Sequence, residues 1–229
     1  ATQTAFQRVL WRSMIVSFWV SLYTVLLAYP MAYYLVFGAG RRKLVLLTII
    51  IVPAWVSYLL RVLSWKVILG STGILASFLT WIGIDFGNSP LLLYSTDAVV
   101  VTLVYVWIPF VALPIFAALE RIDPSLLEAA YDLGCNKLQA FLRVTLPLSL
   151  PGVVAALVLV FVPVVGAFIT PDIMGGGKVE MIGTLINRQF GTARNWPFGS
   201  SISLVLMVFV LVGVIAYFRS GGEDAKRAL

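Results

Sequence analysis

Many of the chain's few charged and polar side chains fall between residues 120 and 147, ERIDPSLLEAAYDLGCNKLQAFLRVTLP. Their spacing suits docking better than catalysis. Asp123 followed by Pro124 supplies a helix N-cap and a proline at the first helical position, and Ser125 with Glu128 offers an alternative capping box. Gly134 can take the left-handed conformation that ends a first helix, and Asn136 can start a second. On that second helix Leu138, Phe141 and Leu142 share one face by their i, i+3, i+4 spacing, while Lys137, Gln139 and Arg143 point elsewhere. Ala129 and Ala130 keep the first helix thin, so another surface can approach it. Two short helices with an apolar face read as a docking element for a soluble partner, or equally as helices packing back onto the rest of the chain.

Other chemistry has little support. The chain has no histidine and a single cysteine, Cys135, which excludes a His-based triad, a His-rich metal site and an intrachain disulfide. No nucleophile–base constellation stands out, so the chain is not expected to be an enzyme. The run Gly175-Gly176-Gly177-Lys178 hints at phosphate binding, but the first glycine of a nucleotide P-loop would fall on Asp172, and Val179 follows the lysine. Asp172 and Glu180, with Tyr105 and Trp107 as cation–π faces, are candidate contacts for a cationic solute. Solvated loop acids and packed aromatics are the plainer reading of the same four residues.

The elements that must position these groups are membrane helices. The chain is 61% hydrophobic and only 11% charged, against roughly 25% charged in soluble domains. Its net charge of +6 reflects basic residues flanking membrane spans rather than a nucleic-acid surface. Charge-free runs predict spans at Met14–Phe37, Leu44–Leu60, Ala98–Leu119, Val144–Pro171 and Phe198–Phe218, with helices kinked at internal prolines. Pro147 is expected to stop or kink the second short helix, and Pro151 to mark the start of the next span. The first run is too long for a signal-peptide core. Residues 67–84 are ambiguous: Gly70, Ser71, Thr72 and Gly73 interrupt them, and turn signals follow, which favours an interfacial segment. Counting Lys and Arg on the two sides leans weakly toward a sixth span and does not decide the question.

Glu128-Ala129-Ala130, Gly134 four residues on, then Val144, Leu146 and Pro147 resemble the cytoplasmic coupling motif of ABC importer permeases, with Val144 in place of the family's isoleucine. The resemblance implies an all-α polytopic bundle, a single permease domain over 1–229, in the bacterial inner membrane. Its coupling segment, 120–147, would be cytoplasmic and would dock on an ATPase subunit. With Arg41–Lys43 on the same side, five spans follow, 61–97 is external and the C-terminus is cytoplasmic. A further helix is expected before the first span. The implied partners are a second permease subunit, two ATPase subunits, a periplasmic substrate-binding protein and membrane lipid, but no nucleic acid. ATP and Mg would sit on the ATPase chains, with no cofactor here.

IVPAWVSYLLR (51–61), PDIMGGGK (171–178) and NWPFG (195–199) are similar to the spermidine/putrescine permeases. That likeness implies ATP-driven import of polyamines or similar small solutes by alternating access. The residues themselves give a cationic solute weak support, because none of the five predicted spans holds an acid. A permease for another solute (iron, betaine or another small organic compound) is the alternative. An ion-gradient-driven transporter is a more distant one, since such coupling usually needs ionisable groups inside the spans.

Overall fold

The computed structural model describes residues 2–82 and 93–227, with side chains over 6–82 and 93–215. Among the described residues every regular element is helical. Five stretches are long and apolar enough to cross a membrane: Phe6–Phe37, Tyr58–Trp81, Thr96–Glu120, Lys137–Val165 and Trp196–Ile215. The number matches the sequence expectation; the second stretch does not.

The predicted span Leu44–Leu60 is not one helix. Helix α1 (Thr2–Phe37) is followed by α2 (Lys43–Ile51), and the chain then tightens into a 3-10 turn, Val52–Trp55, with Pro53 near its start. Val56 and Ser57 are extended, with ψ of 141° and 134°. Proline lacks the N–H that would continue an α-helical ladder, so an uninterrupted apolar run still breaks here. The stretch that replaces it combines α3 (Tyr58–Leu69) and α4 (Ile74–Trp81). Gly70 and Gly73 between them are extended, at ψ 161° and 174°, so this stretch too is two helices. It takes up most of the segment 61–97 expected outside the membrane; residues 83–92 of that segment lie outside the described residues.

The remaining elements are α5 (Thr96–Glu120), α6 (Pro124–Asp132), α7 (Lys137–Ala140), a π-helical turn at Phe141–Thr145, α8 (Leu146–Val165), α9 (Ile169–Gly175), α10 (Ile182–Phe190) and α11 (Trp196–Arg227). They form two compact units, one of residues 1–20, 57–103 and 161–229, the other of 21–56 and 104–160. In the first, Val165, Ile182 and Ile202 make a buried cluster beneath Phe6, Val9, Leu10 and Met14. Ser13 Oγ accepts a hydrogen bond from the Ile182 N–H at 2.8 Å and donates to the Val9 carbonyl at 2.9 Å, tying the start of α10 to α1. The hydroxyls of Tyr58 and Thr170 pair α3 with α9 at 2.6 Å. In the second unit small residues let helices approach. A Cβ on Gly152 would overlap that of Ala118 and come within 3.0 Å of the Pro114 carbonyl oxygen, which places α8 directly against α5.

Candidate coupling site

The segment 120–147 belongs entirely to the second unit. Asp123 is the N-cap of α6: its Oδ1 accepts the Ser125 N–H at 2.9 Å, and Pro124 occupies the first helical position. The backbone N–H of Ser125, and then its hydroxyl, holds the Asp123 carboxyl below the usual carboxylate range. Asp123 rather than Ser125 thus starts the helix.

The far end of α6 shows what sets the interval between Ala130 and Gly134 in this chain. The Cys135 N–H donates to the Ala130 carbonyl at 3.0 Å and the Gly134 N–H to that of Tyr131 at 2.9 Å. These are the two bonds of a Schellman closure, and they require a left-handed residue at Gly134, where φ is +83°. Ala130 is buried while Glu128, Ala129 and Gly134 are exposed. Two residues later Asn136 and Gln139 exchange side-chain-to-backbone bonds of 2.8 and 3.0 Å, a capping box that starts α7.

Beyond α7 the helix does not stop. The Leu146 N–H donates to the Phe141 carbonyl five residues back, the π-helical register, and α8 continues to Val165. Pro147 and Pro151 therefore lie inside α8: Pro151 is not the start of the span expected of it, and Pro147 does not stop the helix but follows its π-helical turn. A proline ring clashes with the carbonyl four residues before it; the widened turn ahead of Pro147 displaces those carbonyls and lets the helix run through. The fourth membrane-length stretch accordingly begins at Lys137, inside the coupling segment, rather than at Val144.

This rod has two unlike sides. Phe141 packs edge-on against Tyr29 and Tyr33 of α1, with centroids 5.8 and 5.5 Å apart. Ser149 Oγ donates to the Leu146 carbonyl at 3.1 Å and so accepts from the Tyr29 hydroxyl, 2.8 Å away. Ala140 and Thr145 are buried, and Val144 and Leu146 are half-buried. Leu138 is 65% exposed and Leu142 is exposed as well, as is Leu133 in the turn at 86%. The predicted apolar face is thus divided: Phe141 anchors the rod to α1, while Leu138 and Leu142 are left on the surface. Sequence reasoning missed Tyr29, Tyr33 and Leu133. The i, i+4 spacing of the tyrosines was readable, but their partner lies more than a hundred residues away. Lys43 Nζ also pairs with Glu120 at 2.6 Å, joining the start of α2 to the end of α5.

The candidate solute contacts are divided between the two units. Asp172 is exposed in the first turn of α9, and Glu180 pairs with Arg188 at 2.8 Å; both are in the first unit. Tyr105 and Trp107 belong to the second, Tyr105 partly exposed and Trp107 tilted against Phe110 at 5.4 Å. The loop after Gly175 is tied down. Arg12 Nη1 donates to the Lys178 carbonyl at 3.1 Å, and the Tyr94 N–H to that of Met174 at 2.8 Å.

Residues 13–220 match the family described as binding-protein-dependent transport system inner membrane component. The chain belongs to that family. Among relatives of this transport component is the spermidine/putrescine transport system permease protein PotB of Haemophilus influenzae, 38% identical over 216 residues, covering 94% of this chain and 75% of the relative. The Escherichia coli protein of the same name is 38% identical over 197 residues, covering 86% and 71%. The fold is shared with a crystal structure of a bacterial ABC transporter involved in alginate import, at a TM-score of 0.75 and 23% identity, covering 93% of this chain and 79% of the other. The chain is a multi-pass inner membrane permease, a transport component rather than an enzyme.

Proposed function

We propose that this permease is one membrane subunit of an ATP-driven importer and carries polyamines of the spermidine/putrescine class into the cytoplasm by alternating access. The observation that carries the coupling role is the continuous element from α7 to α8, which α6 precedes across a tight turn. A thin, exposed helix closes on Gly134, the chain turns, and α7 runs without a break into a membrane-length helix. Glu128, Ala129, Ala130 and Gly134 form the contact end, with Leu138 on the exposed side. Phe141, Val144, Leu146 and Pro147 connect it to the span. Movement of an ATPase subunit bound there would shift the rod as a rigid body. In this reading 120–147 and the C-terminus are cytoplasmic, ATP and Mg act on two separate ATPase chains, and a second permease and a periplasmic binding protein complete the assembly.

The likeness to polyamine permeases over nearly the whole chain supports the solute class. A second reading, another small solute, draws on the composition of the helices: in the membrane-length stretches the only acids are Asp97 and Glu120, near the two ends of α5. Selectivity would then rest mainly on the binding protein, and Tyr105, Trp107, Asp172 and Glu180 would add at most weak contacts. The test is uptake by proteoliposomes holding the co-purified assembly with its binding protein. ATP-dependent accumulation of spermidine or putrescine is expected. Accumulation driven by an ion gradient without ATP would reject the importer reading, and ATP-dependent uptake of a different solute alone would reject the polyamine.

A further inference from the structure

A groove of about 600 Å³ opens between the end of α5, the turn into α6 and the start of α8. It exists because of residue size. Gly152 and Ala118 bring the two helices into contact, and beside that contact Ala117 and Ala155 leave the space unfilled. Its lining is largely apolar, Pro114 and Leu148 included, and carries one guanidinium, Arg121, and one carboxylate, Asp123, just past the end of α5. The ion pairs Lys43–Glu120 and Arg188–Glu180 engage neither Arg121 nor Asp123. Asp123 gives one oxygen to the α6 cap and keeps its charge.

Depth decides what fits. From Leu148 to Ala155 is seven residues of helix, roughly 10 Å, against roughly 15 Å for one leaflet of hydrocarbon. Arg121 and Asp123 follow the charged end of the membrane-length helix α5, where headgroups would lie, and Ala117, Gly152 and Ala155 continue the groove along α5 and α8. A polypeptide segment from a soluble partner would bring backbone N–H and C=O groups into hydrocarbon that offers them no partner. An acyl chain has no such groups. A headgroup above it would meet a cation and an anion side by side.

We propose that this groove seats a phospholipid bearing both a phosphate and a primary ammonium, phosphatidylethanolamine in chemical class. The phosphate lies on Arg121, the ammonium on Asp123, and the upper acyl chain against Ala117, Gly152 and Ala155. The seat adjoins the N-cap of α6, so an occupied groove braces the start of the coupling segment. The proposal does not depend on which solute is carried.

Native mass spectrometry of the purified assembly, exchanged into defined phosphatidylethanolamine, phosphatidylcholine and phosphatidylglycerol, tests it. Phosphatidylethanolamine should be retained over phosphatidylcholine, whose trimethylated ammonium cannot donate a hydrogen bond, and over phosphatidylglycerol, which has no cation. R121Q should reduce phospholipid retention roughly tenfold, the loss expected for one hydrogen bond to a charged group. D123N still caps α6, and should erase the preference for phosphatidylethanolamine over phosphatidylcholine while leaving retention of the latter unchanged. A117F fills the groove without altering charge and should displace the lipid. Equal retention by the parent assembly, R121Q and A117F would overturn the proposal. So would a preference for phosphatidylglycerol that D123N leaves untouched, or photo-crosslinks from position 117 that land on a partner chain instead of lipid.

Discussion

Substitution of Gly134 separates a backbone requirement from a contact requirement at the coupling turn. Gly134 sits at φ +83°, and a Cβ added there meets no heavy atom within 4 Å. Within this chain the penalty for a side chain is therefore conformational alone. Holding an L-residue in the left-handed region costs roughly 1–2 kcal/mol, more for a β-branched one. Through the two Schellman bonds that φ fixes where the chain leaves α6 and, two residues on, where Asn136 starts α7. A penalty of about 1–2 kcal/mol lowers the population of the native turn about 5–30-fold relative to its alternatives. Gly134→Val should insert and assemble normally, because the bundle packing is untouched. It should lose substrate-stimulated ATP hydrolysis and uptake by up to about that factor when reconstituted with its ATPase and binding protein. Gly134→Asn, which visits the left-handed region readily, should keep most of both activities. Wild-type uptake by Gly134→Val would refute the reasoning. Equal impairment of the Val and Asn variants would also refute it, since a side chain of any kind would then be the obstacle.

Further substitutions test the packing on which the site depends. Gly152→Val forces α5 and α8 apart at Ala118 and Pro114, and should destabilise the assembly by about 1–3 kcal/mol, read as a lower melting temperature in detergent; an unchanged melting temperature contradicts the close approach. Tyr58→Phe removes one partner of the Tyr58–Thr170 bond and should cost about 1–3 kcal/mol, because Thr170 is buried. The double variant with Thr170→Val should cost less than the sum of the two single changes, and strict additivity would show that the pair does not interact. The cap at Asp123 has a defined pH dependence. Its folded pKa is depressed, so its contribution is complete above the ordinary carboxylate range and is lost progressively as pH falls from that range through the lower folded value. Hydrogen-exchange protection of the start of α6 should therefore begin to fall as pH drops through the ordinary carboxylate range, a loss that Asp123→Asn should reduce.

The coupling segment was readable because its determinants are local. Asp123-Pro124, Gly134 and the Asn136–Gln139 box each act within a few residues, and the structure forms all of them. The membrane helices were readable in number for a similar reason, since apolar length alone sets the requirement. Boundaries failed where hydropathy and backbone chemistry disagree. Leu44–Leu60 is continuously apolar, yet Pro53 and the extended Val56–Ser57 divide it; glycines make 67–84 look unlike a span, yet α3 and α4 on either side give the next stretch. The facing partners of Phe141 and Lys43 were not legible at all. They come from elements far apart in sequence, and a single chain pattern carries no register for such pairs.

The passage of the helix through Pro147 and Pro151 has a functional consequence. Had either proline ended a helix, a push on α6 and α7 would reach α8 through a flexible joint and dissipate there. With the π turn absorbing Pro147, Lys137–Val165 is one element, and the aromatic contact of Phe141 with Tyr29 and Tyr33 sits near its end. A π turn is also the place where such a helix can change register by one residue with little loss of hydrogen bonding. The buried Thr145 hydroxyl, which has no partner in this arrangement, lies at that turn. A return to α-helical register would rotate the residues before it by about 100° relative to those after it. The π turn thus lets proline into the helix and keeps Lys137–Val165 one element.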